Sequence, residues 1–229
     1  MSLAGRRQKR CMNAIEGVLK FVCGDTSARE TLDQLETRFL SPATILESNL
    51  SALGDDILDQ DTAELLNAIP ALARALQQVE YGANPRLDTL HGAAGYLRTL
   101  FIGVPVEQFF LLCLDDSGRL LDCVLLQSGT LDQTPFYLSH LLKNAIDLGA
   151  AALILCHNHP GGTLRPSRAD ITCTEEAMKA LYPLGIMLLD HVIVAADEII
   201  SLRDLGYVPA ASWIRQGPEK ALLRNWLAQ

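Results

Sequence analysis

The stretch AALILCHNHPGGTLRPSRAD, residues 151–170, passes from an apolar segment through two histidines into a polar helix start. The apolar residues 151–156 predict a buried strand, and the Pro and Gly residues after His159 predict a loop. Residues two apart in an extended chain point to the same side, so His157 and His159 should project together, with Asn158 pointing away. Ser167 and Asp170 predict the capped first turn of a helix, with Asp in place of the usual Glu. The stretch therefore brings two imidazoles, one carboxylate and one hydroxyl to a single strand–loop–helix junction.

This combination of side chains is typical of a catalytic metal site. Two neutral imidazoles and one carboxylate are a common ligand set for zinc, and three protein ligands leave a fourth position for water. Two alternatives stay open at this point. Ser167 and Asp170 can form a capping box without any metal, although capping and ligation are compatible. Cys173, three residues after Asp170 on the same helical face, is an alternative third ligand that we rank below Asp170.

The spacing His157-x-His159, seven residues, Ser167-x-x-Asp170 resembles the JAMM motif of the MPN (JAB1/Mov34) metalloproteases. The strings HNHP, PSRAD and LLDHVIV are similar to the RadC-type branch of that superfamily, and the resemblance covers residues 106–208. It implies an α/β fold, in which a mixed sheet of the MPN/cytidine-deaminase-like type is flanked by helices. A small all-helical domain should precede that fold.

The resemblance also implies a chemistry and a role for each site residue. His157, His159 and Asp170 would hold Zn²⁺, with a zinc-bound water as the nucleophile. Glu107, in the family's Glu-x-Phe setting, would act as general base and then as acid to the leaving amine. Ser167 would hydrogen-bond the developing oxyanion or the water. The expected activity is that of a zinc metallopeptidase or isopeptidase-like hydrolase of amide bonds, with a protein or peptide as substrate.

The sequence departs from the RadC-type pattern at two places. Leu138-Ser139 stands where that branch usually has Pro-Arg, and Gly161 stands where Ser is usual. If that Arg holds a substrate carboxylate or phosphate, this protein lacks it. Neither departure affects a predicted ligand.

Hydrophobic periodicity predicts the elements around the motif. Helices are expected at residues 88–101, 137–148 and 167–182, and strands at 107–114, 120–126, 186–194 and 199–202, the first two joined by a turn at 115–118. His191, inside one of these strands, is predicted either to support a metal ligand or to be simply buried and paired. The tail residues Trp213, Leu222, Leu223 and Trp226 predict a short amphipathic helix that packs on the body or on a second copy in a homodimer.

The first part of the chain reads as helices, with a domain boundary at Tyr81-Gly82-Ala83-Asn84-Pro85. We therefore predict a helical domain over residues 1–83 and a RadC-type MPN/JAMM domain over residues 84–229. Pro70 lies inside a helical pattern and predicts a kink or a split. The stretch LGDDILD, residues 53–59, makes the first domain resemble a degenerate helix-hairpin-helix, because one glycine and three carboxylates stand where a phosphate-binding loop needs glycines. Carboxylates repel phosphate, so we predict packing or docking rather than DNA binding.

Composition narrows the function classes further. The formal net charge of −8 argues against a protein whose main function is binding nucleic acid, because that affinity comes largely from Lys and Arg. The six cysteines form no Cys-x-x-Cys pair, no apolar run is long enough to span a membrane, and nothing resembles a signal peptide, which together favour the cytoplasm. The alternative to a hydrolase is a DNA-repair-associated accessory or docking protein with little catalysis.

Overall fold

The structure is a computed structural model that describes residues 3–39, 41–46, 48–53, 57–129, 134–160, 162–195, 198–209, 222 and 224–226. Several positions named above lie outside the described residues: 54–56 of the acidic loop, Gly161, Trp213 and Leu223.

Five strands form one mixed sheet in the second part of the chain, in the order β2-β1-β3-β4-β5. The bounds are β1 Gln108–Leu114, β2 Leu120–Ser128, β3 Ala152–Asn158, β4 Met187–Ala195 and β5 Glu198–Ser201. β3 and β4 run parallel, and the other neighbouring pairs run antiparallel. The predicted fold class is confirmed: a mixed sheet flanked by helices follows an N-terminal helical region.

The central strands are apolar because helices cover both faces of the sheet. All seven residues of β3 are buried, which explains why its sequence reads as a continuous apolar run rather than an alternation. In β1 the alternate residues belong to two different cores: Leu112 packs in the cluster that includes α5 (Leu90–Thr99), and Leu111 packs in the cluster that includes α6 (Thr134–Asp147).

The helix that follows the motif loop is α7, Arg168–Leu181, and a short 3-10 turn, Tyr182–Leu184, ends it. Its buried residues Cys173, Ala177 and Leu181 join the same core as α6. Predicted and observed bounds of the helices in this part of the chain differ by one to three residues at each end, because terminal turns depend on caps.

The N-terminal helices are α1 Leu3–Cys23, α2 Asp25–Arg38, α3 Pro42–Leu46 and α4 Gln60–Glu80, with a 3-10 turn at Leu50–Ala52. Of the kink or split predicted at Pro70, the split is wrong, because α4 runs through this residue. A proline inside a helix costs about 3 kcal/mol. Contacts outside the helix offset part of that cost: the Pro70 ring packs against Gly103, and Arg74 donates to the carbonyl oxygen of Ile102 at 2.7 Å.

The chain divides into two compact units. The helical unit comprises Met1–Leu76 and Ile102–Pro105, and the sheet unit comprises Gln77–Phe101 and Val106–Gln229. Each unit has its own core, and the core of the helical unit is centred on Leu19, Leu35 and Leu66. Within the described residues, none of the helices combines the length and the hydropathy that crossing a bilayer requires.

Candidate metal centre

Four side chains from three elements meet at one edge of the sheet. His157 lies near the end of β3, His159 follows that strand, Asp170 lies in the first turn of α7, and Glu107 immediately precedes β1. The antiparallel register places Phe109 of β1 opposite His157 of β3, so the start of one strand meets the end of the other. One ligand atom from each of the four side chains lies within 4.8 Å of all the others. The structure thus brings together Glu107 and the three residues that the sequence predicted as metal ligands.

Asp170 has a different task for each of its carboxylate oxygens. The Ser167 amide donates to Oδ2 at 2.7 Å, and the Asp170 amide donates to the Ser167 hydroxyl at 3.1 Å, which completes the predicted capping box. Oδ1 is buried without a hydrogen-bond partner and lies 3.2 Å from Nε2 of His157. Burial raises the pKa of Asp170, but the two histidine rings and the Ser167 amide outweigh it and hold that pKa well below its usual range. Capping therefore fixes the carboxylate and leaves one charged oxygen free to bind a cation.

His159 presents its Nε2 atom to the same point. Its Nδ1 atom lies 2.7 Å from the carbonyl oxygen of Thr163. A carbonyl can only accept, so Nδ1–H donates and Nε2 of the neutral ring carries a lone pair. That Nε2 lies 3.0 Å from Nε2 of His157 and 3.5 Å from Oδ2 of Asp170. Hydrogen bonding to Asp170 raises the pKa of His159 while desolvation opposes the rise, so a proton competes here with a metal ion.

These atoms could hold a metal ion. Two imidazole nitrogens and one carboxylate oxygen form a ligand set of the catalytic type, and a buried, unpartnered charged oxygen is the feature that a cation would satisfy. Cys173 is not in this cluster: burial raises the pKa of its thiol to about 12, and its carbonyl oxygen accepts a hydrogen bond from Tyr137 at 2.7 Å. A thiol must lose its proton to bind zinc, so this geometry favours Asp170 as the third ligand.

Asn158 fixes the backbone on both sides of Glu107. Its side-chain oxygen accepts from the Gln108 amide at 2.7 Å, and its side-chain nitrogen donates to the Val106 carbonyl oxygen at 3.0 Å. The Gly129 amide adds a bond to the Glu107 carbonyl oxygen at 2.7 Å. Sequence reasoning predicted that Asn158 points away from the histidines and missed this task, although a polar residue at the end of a buried strand was a signal for it.

Phe109, two residues after Glu107, packs against two histidine rings of the site. Its ring stacks on the His157 ring at a centroid distance of 5.6 Å and an angle of 17°, and it meets His191 edge to face at 5.3 Å. His191 is fully buried, and its Nε2 atom lies 2.8 Å from Nδ1 of His157. His191 is therefore buried and paired, and its partner is His157, one of the predicted metal ligands. Thr174 also contacts His191, and nothing in the sequence marked it beyond its place one turn after Asp170.

Comparison with known proteins agrees with this geometry. A sequence model described as the RadC-like JAB domain matches residues 87–207, more than half of the chain.

The UPF0758 protein HEAR2468 of Herminiimonas arsenicoxydans is 37% identical over 141 residues, which are 62% of this chain and 63% of that protein. A UPF0758 protein of Leptothrix cholodnii is 38% identical over 141 residues, 62% of this chain and 64% of the relative. A UPF0758 protein of Rhodobacter capsulatus is 32% identical over 165 residues, 72% of this chain and 74% of the relative. The chain spans less than two thirds of the length of the first two of these relatives. Together with the mixed sheet and the histidine–aspartate cluster, these matches place the chain in the RadC-like JAB domain family.

Proposed function

We propose that this protein is a zinc-dependent hydrolase of amide bonds, of the peptidase or isopeptidase type. One observation carries the proposal: ligand atoms of Glu107, His157, His159 and Asp170 converge within 4.8 Å, and Oδ1 of Asp170 is buried there without a hydrogen-bond partner. Uncompensated buried charge is costly, so such an oxygen is expected where a cation binds.

Each side chain has a defined task in this proposal. His157 and His159 through Nε2, and Asp170 through Oδ1, hold the metal. Zinc held there would act as a Lewis acid that lowers the pKa of water and polarises an amide carbonyl. Glu107 is partly exposed, and its carboxylate takes a proton from water and returns it to the leaving amine.

Ser167 has a hydroxyl proton left over after capping. Its oxygen accepts from the Asp170 amide, so the O–H can still donate. We assign that donor to the oxygen on which negative charge develops as the amide carbonyl is attacked. A protein or peptide is the substrate class that suits this chemistry, because general acid assistance matters most when the leaving group is an amine.

The ligand set is tested by metal analysis of protein purified without added metal. We expect about one zinc per chain in the wild type, as for a three-ligand catalytic site. His159→Ala should lose that zinc, whereas Cys173→Ala should retain it. Zinc retained in His159→Ala and lost in Cys173→Ala would contradict the ligand assignment.

Glu107→Gln separates chemistry from metal binding. The amide is nearly the same size but is not a base, so the variant should keep its zinc and lose turnover by about 100-fold or more. Glu198→Gln, the same change at an exposed position of β5, is the matched control and should keep full activity. Turnover would be followed on peptides found by a cleavage screen of a proteome-derived library with zinc-loaded wild type. A fully active Glu107→Gln variant would show that another group carries the proton.

A further inference from the structure

A chain of buried hydrogen bonds runs from the start of α7 to the back of the His157 ring. Oγ1 of Thr174 lies 2.6 Å from the carbonyl oxygen of Asp170 and 2.6 Å from Nδ1 of His191. Nε2 of His191 lies 2.8 Å from Nδ1 of His157. Thr174, His191 and His157 are all completely buried, so no solvent contact competes with these bonds. We call this chain of groups the relay.

The direction of every bond in the relay follows from its first member. A carbonyl oxygen has no proton to give, and two oxygens 2.6 Å apart repel unless a proton lies between them, so Thr174 donates to Asp170. A hydroxyl has one proton, and Oγ1 must therefore accept from Nδ1–H of His191. A fully buried imidazolium would be costly, so His191 is neutral and its Nε2 is an acceptor. His157 consequently donates from Nδ1–H, and in the neutral ring this leaves the lone pair on Nε2.

We propose that Thr174 and His191 are positioning residues that fix His157 in the Nδ1–H tautomer and so set the affinity of the site for a divalent metal. The relay starts at the backbone of Asp170 and ends at His157, so it joins two of the predicted ligands behind the site. Groups that hold the far nitrogen of a ligating histidine orient the ring and raise its basicity, and their loss typically costs about 10–100-fold in metal affinity. This inference rests on the proposed zinc site for its effect on affinity, but not for the tautomer itself.

The tautomer can be read directly in the metal-free full-length protein. Long-range nitrogen–proton correlation NMR distinguishes the two neutral forms of each imidazole, and the chain has only five histidines. We expect His157 as the Nδ1–H form in the wild type and in Thr174→Ser, which keeps the hydroxyl. Thr174→Val keeps the shape but removes the hydroxyl, and His157 should then populate both tautomers. An Nε2–H form in the wild type would overturn the proposal without any variant, even if Thr174→Val fails to fold.

Zinc affinity, measured by competition with a chromophoric chelator, gives the second readout. Thr174→Val should bind zinc about 10–100-fold more weakly than the wild type, and Thr174→Ser should restore wild-type affinity. Thr99→Val is the matched control, because Thr99 is also buried and its hydroxyl donates to the Tyr96 carbonyl oxygen at 2.7 Å, outside the relay. That variant should bind zinc like the wild type.

The outcomes separate this inference from the proposed function. A wild type that takes up no zinc overturns the proposed function, and the tautomer of His157 then decides the inference alone. A wild type that binds zinc, together with a Thr174→Val variant of equal affinity, overturns the inference and leaves the hydrolase proposal in place.

Discussion

Asp170→Asn should remove the metal site while it keeps the cap of α7. In the wild type, Oδ2 accepts the Ser167 amide, whereas Oδ1 faces Nε2 of His157 at 3.2 Å without a hydrogen-bond partner. An asparagine can place its oxygen on the Ser167 amide and its NH₂ group against the His157 lone pair. The cap is then kept, and a buried atom without a partner becomes a hydrogen-bond donor.

The size of the effect follows from these contacts. One new hydrogen bond contributes about 0.5–1.5 kcal/mol, and it opposes the loss of the carboxylate charge that the histidine rings favour. A protein of this size gains about 2–4 °C in Tm per kcal/mol, so the metal-free variant should melt within about 6 °C of the wild type. Zinc at 100 times its Kd stabilises the wild type by about 2.7 kcal/mol, or about 5–11 °C. The asparagine variant lacks the charged ligand and should show little of that zinc-dependent rise.

Thermal unfolding at pH 8, with and without zinc and with a reductant present, measures both effects. At this pH a smaller fraction of His159 is protonated than at neutral pH, so the loss of its ion pair with Asp170 contributes less to the difference in stability between the variant and the wild type. Asp116→Asn, at an exposed position of the β1–β2 turn, is the matched control and should behave like the wild type in both conditions. A zinc-dependent rise in Asp170→Asn equal to that of the wild type would refute the ligand assignment. A metal-free variant less stable than the wild type by more than about 2 kcal/mol would refute the argument from the capping box.

Three further predictions concern groups buried in the sheet unit. Asp190 accepts hydrogen bonds from the Ser201 hydroxyl and the Trp226 indole at Oδ2, and from two backbone amides at Oδ1. Asp190→Asn places an NH₂ group against two of these donors, so it should lower the unfolding free energy by about 2–6 kcal/mol. Unchanged urea denaturation would contradict this. Burial raises the pKa of Asp190 to about 6, above its unfolded value of about 4, so its stabilising contribution is full below pH 4 and is lost as pH rises through 6. The unfolding free energy of the wild type relative to Asp190→Asn should fall by about 3 kcal/mol over that interval, and parallel pH profiles would exclude this titration. Tyr137→Phe removes the hydroxyl that donates to the Cys173 carbonyl and should cost about 1 kcal/mol in urea denaturation without changing zinc affinity; a change in affinity would show that Tyr137 reaches the site.

The strand–loop–helix junction could be predicted from sequence because its signals are local. An apolar run that ends in His-x-His fixes which side chains share a direction, and Ser167 with Asp170 marks a helix start by the chemistry of its own first turn. Spacing alone therefore placed two imidazoles near one carboxylate. The Glu-x-Phe resemblance added Glu107, and the observed register of β1 on β3 brings that residue to the same edge of the sheet.

The supporting contacts could not be predicted, because they join residues far apart in sequence. Asn158 bonds the amide of Gln108, fifty residues earlier, and His191 bonds His157, thirty-four residues earlier. Such pairings depend on strand order and register, which no local pattern specifies. The split at Pro70 was wrong for a related reason: a proline tends to interrupt a helix, and contacts with residues 102–103, distant in sequence, offset part of that cost.

The antiparallel pairing of β1 with β3 places the candidate metal site at one end of these strands and the 115–118 turn at the other end. Seven residues of β1 span about 20 Å, so the 115–118 turn lies about that far from Glu107. That turn is anchored by Leu87, whose amide donates to the Gly118 carbonyl oxygen at 2.7 Å, and its tip at Asp116 is exposed. A fluorescent reporter attached at this tip would follow the opening of the sheet while leaving metal uptake undisturbed.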